Sequence, residues 1–286
     1  MKLATALKLG RISNLPTVWT NVLAGAALTG SAFDCLTVAT SAIAISLLYI
    51  AGMFLNDVFD LEWDRKHQPS RPLVAGEANV NEVTGLSVVF IVTAWVLVLF
   101  AATGGRIGLA LLSALMLTGL IVLYDWKHKQ WSVSPWIMGA CRLMVYVTSA
   151  AIAGAWNWHV PAAGACLLAY IAAITYLARM EHLNTLNSYW PLILLLLPPG
   201  FVLYLGYNDI WSWLLAAVLL VWLIRAVRYL LPGKNRKVPQ AIGALLAGIA
   251  LIDTAILAAL QQYLLAYIAA GAFALCLLLQ RKVAPT

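Results

Sequence analysis

The 286-residue sequence predicts an all-α polytopic membrane protein with nine to ten transmembrane helices. Hydrophobic residues make up 63% of the chain against 10% charged, and mean hydropathy is +0.88, well outside the range of soluble domains. The apolar residues fall into successive stretches of about 20, the length a helix needs to cross a bilayer. The period-two alternation of a barrel strand is absent, which leaves helix as the backbone form that satisfies its own hydrogen bonds in lipid.

Taken in order, the spans run over about Pro16–Phe33, Leu36–Asn56, Val83–Thr103, Ile107–Tyr124, Pro135–Ala155, Val160–Ala178, Trp190–Tyr207 and Trp211–Leu231. A last apolar block, about Ala241–Leu279, is interrupted only by Gln261 and Gln262 and reads as one span or two. The N-terminus lacks a short apolar core followed by a cleavage site, so the first stretch is expected to be a true span. The whole of 1–286 is expected to form a single integral membrane domain.

Charge sets the orientation. With the N-terminus in the cytoplasm and a break at Gln261–Gln262, only Arg106 falls outside and Arg142 lies within a span, leaving 16 of the 18 Lys and Arg inside. That asymmetry favours an N-in topology and, by keeping Arg281 and Lys282 inside, ten spans over nine. It also accounts for the net charge of +7, so no nucleic-acid partner is expected. Cys35, Cys141, Cys166 and Cys276 are scattered without metal or disulfide spacing, and no P-loop, dinucleotide fingerprint or nucleophile elbow occurs.

Chemistry concentrates in NDVFDLEWDRKHQPSRP, Asn56 to Pro72. On a helix Asp57, Asp60 and Asp64 stand at i, i+3 and i+7, on one face over about two turns, while Glu62 points elsewhere. Like charges so close repel unless a cation neutralises them, and a hard, oxygen-only ligand set suits Mg²⁺ shared with substrate phosphates. Arg142, about seven residues into the fifth span, is costly in lipid and reads as functional or internally paired, or as snorkelling from a misjudged boundary. Asn21, about one turn into the first span, fits an interhelical hydrogen bond or a site role. Asp253, deep in the last block, lies too far from the cytoplasmic mouth and is left out of the site.

These residues resemble the UbiA superfamily of intramembrane prenyltransferases. Asn56, Asp57, Asp60 and Asp64 match its N-D-x-x-D-x-x-x-D, Arg71-Pro72-Leu73 with Gly76 is similar to its R-P-L-x-x-G, RISNLPTVWTNVLAG resembles its opening, and GACRLMVY its G-x-x-R stretch. Among its subgroups the chain is most similar to the UbiA-like EboC proteins. The resemblance implies helices around a central cavity, Mg²⁺ as cofactor held by Asp57, Asp60 and Asp64, and a site on the cytoplasmic side of a bacterial inner membrane. It implies a transferase of alkyl or aryl groups other than methyl, passing an isoprenoid chain from a polyprenyl diphosphate to a hydrophobic acceptor, with membrane lipid around both. Asn21, Asn56, Arg71, Tyr124 and Lys127 then fall at substrate-binding positions, and Tyr49, Tyr146 and Tyr176 at the cavity wall. The family's second acidic motif is replaced by ARMEHLNTLN, so Arg179 and Glu181 are expected to meet the phosphates in place of two carboxylates. That departure keeps two alternatives open: transfer of a sugar or pentose phosphate to a polyprenyl phosphate, and a non-catalytic component of a lipid or metabolite export system.

Overall fold

In the computed structural model the described residues are 1–31, 34–102, 106–179, 190–230 and 237–283, and among them all regular structure is helical. The helices are α1 (Leu3–Leu9), α2 (Leu15–Ala27), α3 (Cys35–Phe59), α4 (Leu61–His67), α5 (Val80–Ala101), α6 (Ile107–Lys127) and α7 (Ser134–Ile152), then α8 (His159–Arg179), α9 (Trp190–Leu194), α10 (Leu197–Leu205), α11 (Ile210–Arg228), α12 (Val238–Ala259) and α13 (Tyr263–Gln280). Eight of them, α3, α5, α6, α7, α8, α11, α12 and α13, are long and apolar enough to cross a membrane, and the chain is a multi-pass membrane protein.

The starts are written in the local sequence. Asp34, Asn79 and Asp209 cap α3, α5 and α11 by accepting hydrogen bonds from the backbone N–H groups of Thr37, Asn81 and Ser212. Pro16, Pro135 and Pro239 stand in the first turns of α2, α7 and α12, where no hydrogen bond is lost. The last apolar block is two helices, broken at Leu260–Gln262 with Gln261 at φ 58°.

Two expected spans are interrupted. The stretch read as Pro16–Phe33 is helical only to Ala27, and its 13 residues reach about 20 Å, short of the hydrocarbon core. Most of α2 is buried against α7, α12, α3 and α13, so neighbouring helices shield it from lipid. The seventh span divides into α9 and α10 just ahead of Pro198 and Pro199, which cannot donate into a continuous helix.

Among the described residues two main apolar cores form, one from α2, α3, α5, α6 and α7 and the other around α12 from α2, α7, α8, α10 and α11, with two smaller clusters beside them. Helix α7 contributes to both and ties the halves together. Its contact with α8 is close enough that a Cβ on Gly139 would lie 2.3 Å from the carbonyl oxygen of Leu168. Gly139→Val should therefore push α7 from α8 at a cost of about 1–3 kcal/mol. Thermal unfolding in detergent checks it, with a midpoint several degrees lower expected and an unchanged midpoint counting against the close contact.

Candidate active site

The acidic stretch sits where α3 gives way to α4. The helix yields at Asp60 and resumes at Leu61, so the three aspartates stay at one end of the bundle with Asp60 at the bend. Arg11, Asn56, Asp60, Asp64, Arg71 and Lys129 line a polar chamber of about 240 Å³, joined by Trp63, Gln68, His128 and Tyr124. A second, apolar cavity lies beside it, lined by Val18, Leu48, Tyr49, Leu117, Asp125 and Arg142 among others. Met53, Tyr124 and Met138 belong to the walls of both, so polar and apolar spaces meet at those three side chains.

Each aspartate is met by a cation. Asp57 is 2% exposed and lies behind the chamber wall, with its Oδ1 3.3 Å from Arg71 Nη1 and 3.5 Å from Arg11 Nη2. Arg71 Nε also stands 4.0 Å from Asp64 and donates to Gln68 at 2.7 Å. Asp60 is held by Lys129 Nζ at 2.7 Å and His128 Nε2 at 3.4 Å. Burial raises the Asp60 carboxyl, but the hydrogen bonds and charges of His128 and Lys129 outweigh it and leave the group below the usual carboxylate range. Burial dominates at Asp64, which is raised despite Arg71 and further by Asp60.

Asn56 bridges the two spaces, accepting from Arg11 Nη2 at 3.3 Å and donating to Asp125 Oδ1 at 3.1 Å. Deeper in the bundle, Arg142 donates to Asn21 Oδ1 at 2.9 Å. Asn21 Nδ2 and Thr20 Oγ1 donate to Asp253 Oδ2 at 2.7 and 2.5 Å, and Tyr146 donates to its Oδ1. Asp253 is thus a fully paired carboxylate that fixes Asn21, and through it Arg142, at the inner wall of the apolar cavity.

The structure brings Asn56, Asp60, Asp64, Arg71 and Tyr124 together at the chamber, with Asp57 behind them and Asn21 and Arg142 deeper. It does not bring Lys127 there. Helix α6 continues through Lys127, whose ammonium bonds Gln130 and lies 4.1 Å over the Trp126 ring, while His128 and Lys129 in the turn beyond reach Asp60. Nor does Arg179 meet the chamber: its guanidinium donates to the carbonyls of His128 and Trp131 and to Ser134 Oγ, bracing the α6–α7 loop. Glu181 lies outside the described residues. Of the expected cavity tyrosines only Tyr49 lines the apolar space; Tyr146 is fully buried on Asp253, and Tyr176 packs on Trp190. Arg11, His128 and Lys129 escaped the sequence reading, because each lies outside the acidic stretch and their convergence depends on where α6 ends and how the chain enters α2.

The donor set suits Mg²⁺ in one form. Among the described residues no three His, Cys, Asp or Glu side chains gather closely enough to cage a metal. Asp60 and Asp64, both facing the chamber, provide the one or two carboxylates that Mg²⁺ takes when phosphate oxygens and water complete its shell.

An all-helical membrane bundle with carboxylates and cations around a polar chamber, opening onto an apolar cavity, defines a class of protein that handles amphiphilic polyanions. The chain belongs to the UbiA prenyltransferase family, whose profile matches residues 17–247. It is similar to the digeranylgeranylglyceryl phosphate synthase of Methanocaldococcus jannaschii, 33% identical over 101 residues, or 35% of each chain. That of Ignicoccus hospitalis is 34% identical over 86 residues, 30% of this chain and 28% of the relative. The chain thus matches about a third or less of the length of these curated relatives. A solved structure described as giving insights into digeranylgeranylglyceryl phosphate synthase in membranes has a TM-score of 0.62 at 23% identity, covering 95% of this chain and 98% of its own. A UbiA homolog from Archaeoglobus fulgidus bound to DMAPP and Mg²⁺ has a TM-score of 0.62 at 15% identity, covering 90% and 99%.

Arg179→Ala should loosen the α6–α7 loop and lower the affinity for a diphosphate by about tenfold, and Arg179→Lys should rescue little, because a point charge cannot span three acceptors. Hydrogen exchange across residues 128–134 reads the loop directly. Unchanged exchange with lowered affinity would instead return Arg179 to direct phosphate contact.

Proposed function

We propose that the protein is a Mg²⁺-dependent membrane prenyltransferase that moves an isoprenoid chain from a polyprenyl diphosphate to an apolar or aromatic acceptor. The observation that carries this is the meeting of two spaces at Met53, Tyr124 and Met138: cations on one side for a diphosphate, an apolar cavity on the other for its chain. The donor's head would displace the carboxylates from Arg11, Arg71 and Lys129, which then neutralise charge building on the departing diphosphate. Asp60 and Asp64, with Asp57 behind them, would hold Mg²⁺, which supplies Lewis-acid stabilisation of the leaving group when bound. Tyr49 presents a ring 5.8 Å from the Arg142 guanidinium at the apolar wall, and its face suits an electron-poor allylic carbon. Arg142 and Asn21 orient the chain end of the site rather than the phosphate end.

The family, and the relatives named for digeranylgeranylglyceryl phosphate, support an isoprenoid donor and put a glyceryl phosphate lipid among the acceptors to try. The charge asymmetry supports a cytoplasmic N-terminus and site, and membership of the EboC-type subgroup and a bacterial inner membrane are proposed on the sequence resemblance alone. Residues 1–286 are proposed to act as one membrane-embedded unit. Binding without turnover, as in an export component, is the second reading, favoured by the replacement of the family's second acidic motif by ARMEHLNTLN.

Pyrophosphate release from geranylgeranyl diphosphate with Mg²⁺ and a lipid extract separates the two, since a carrier would bind and release nothing. Asp60→Asn should lower release by about 100-fold or more, and Lys129→Ala by a comparable factor, whereas Lys127→Ala should stay within about threefold of the unmodified protein. Equal losses at Lys127 and Lys129 would break the assignment of the cationic wall. Mn²⁺, followed by electron paramagnetic resonance as a stand-in for Mg²⁺, should bind at least about tenfold more tightly once diphosphate is present. Equally tight binding without diphosphate would point to a preformed metal cage.

A further inference from the structure

Among the described residues three carboxylates are buried on the membrane-spanning helices, and they differ in how they are paired: Asp57 is met by Arg11 and Arg71. Asp253 has both oxygens paired, by Thr20, Asn21 and Tyr146. Asp125 is 4% exposed, its Oδ1 accepts from Asn56, and its Oδ2 has no hydrogen-bond partner among the described residues. Two other buried side-chain oxygens share that condition, Ser13 Oγ and Thr148 Oγ1, but neither residue lines a cavity described above. Asp125 does: it forms part of the apolar cavity's wall, next to Tyr124 at the junction with the polar chamber. A buried carboxyl oxygen left one bond short carries a penalty of about 1–3 kcal/mol, which a ligand's hydrogen-bond donor would remove.

Its position says which donor. With the diphosphate among Arg11, Arg71 and Lys129 and the chain in the apolar cavity, the carbon joining them falls at the junction beside Asp125. We propose that Asp125 receives the acceptor as a further catalytic residue, its free Oδ2 taking a hydrogen bond from an acceptor hydroxyl. This rests on the prenyl-transfer reading and narrows its acceptor from any apolar or aromatic molecule to one bearing a hydroxyl. In the step, the acceptor oxygen forms a bond to C1 of the allylic diphosphate, the C1–O bond breaks with its electron pair leaving on the diphosphate, and the hydroxyl proton passes to Oδ2. The proton is afterwards lost to water in the polar chamber. Asn56, donating to Oδ1, holds the carboxylate plane with Oδ2 turned away from it. The residue follows Tyr124 and precedes Lys127 in the sequence and belongs to neither acidic motif, so its role shows only in three dimensions.

The test uses the full chain in lipid nanodiscs with Mg²⁺, geranylgeranyl diphosphate and a long-chain alkylglycerol as acceptor. Asp125→Asn keeps the size of the side chain and an acceptor for Asn56 but replaces Oδ2 with a donor. It should lower ether formation by about 100-fold or more, within the range of a lost general base. Binding of a non-hydrolysable geranylgeranyl thiolodiphosphate should stay within about twofold, because the donor site is untouched. The alkylglycerol should outcompete its O-methyl ethers by at least about tenfold in the unmodified protein, and that preference should vanish in Asp125→Asn. Asp125→Glu, which retains a carboxylate, should recover part of the rate and shows that a loss in Asp125→Asn is not misfolding.

Ether formation in Asp125→Asn within about threefold of the unmodified protein, or loss of thiolodiphosphate binding, overturns the role of Asp125. So does equal competition by alcohol and methyl ether. If the unmodified protein binds the thiolodiphosphate yet forms no product with alkylglycerols, while prenylating a phenol's ring carbon or an amine, prenyl transfer stands and the alcohol assignment falls. If it releases no pyrophosphate with any acceptor, the prenyl-transfer reading falls and takes the acceptor assignment with it.

Discussion

Ionised carboxylates at the end of a lipid-embedded bundle persist only where opposite charge is supplied from within, because surrounding hydrocarbon screens nothing. Asp57 shows how completely this is done here: two guanidinium groups from different parts of the chain converge on one of its oxygens. Arg71 reaches back from beyond α4 and Arg11 comes from the turn before α2, so the entry of α2 and the chain beyond α4 are bound together through a single carboxylate at the end of α3. A bare pair of buried charges contributes little net stability after desolvation. What this mesh contributes is placement, since it leaves the cationic side chains facing the chamber while the site is at rest.

The rest of the bundle keeps that end apart from an apolar interior. Helix α7 belongs to both cores, α12 sits at the centre of the second, and the short α2 lies between them. Their shared polar network around Asp253 uses neutral donors from α2 and α7 to complete a carboxylate from α12. Both carboxylate oxygens are met, which allows the network to specify how the three helices register rather than to act as a liability in lipid. Arg142 projects from the edge of this network to the apolar cavity, so the deep wall of the site inherits its rigidity.

Much of this was legible in the sequence. Span positions follow from apolar length, and the acidic face from helical spacing; the division of the last block follows from the charge count. What was not legible turns on single-residue detail. Lys127 closes α6 and faces Gln130, while Lys129, two residues on in the turn, reaches Asp60, and helix ends are the least determined feature of a sequence. Arg179 stands where a phosphate-facing group was expected, yet the nearby carbonyls of the α6–α7 loop offer it acceptors first. Tyr146 reads as a cavity aromatic until the partner for its hydroxyl, 107 residues away on α12, is known. Arg11 stands in the turn between α1 and α2 at φ 42°, its backbone tied to Lys8, Asn14 and the Tyr49 hydroxyl, and only that turn brings its side chain to Asn56 and Asp57.

The passage between the two compartments is framed by two methionines and a tyrosine. Thioether side chains are unbranched and polarizable, and they conform to whatever lies against them, so a collar of this kind tolerates chains of differing girth without rebuilding the helices behind it. The same softness is chemically exposed: peroxide converts the sulfur of Met53 or Met138 to a polar sulfoxide, which sets a wet obstruction in a greasy throat.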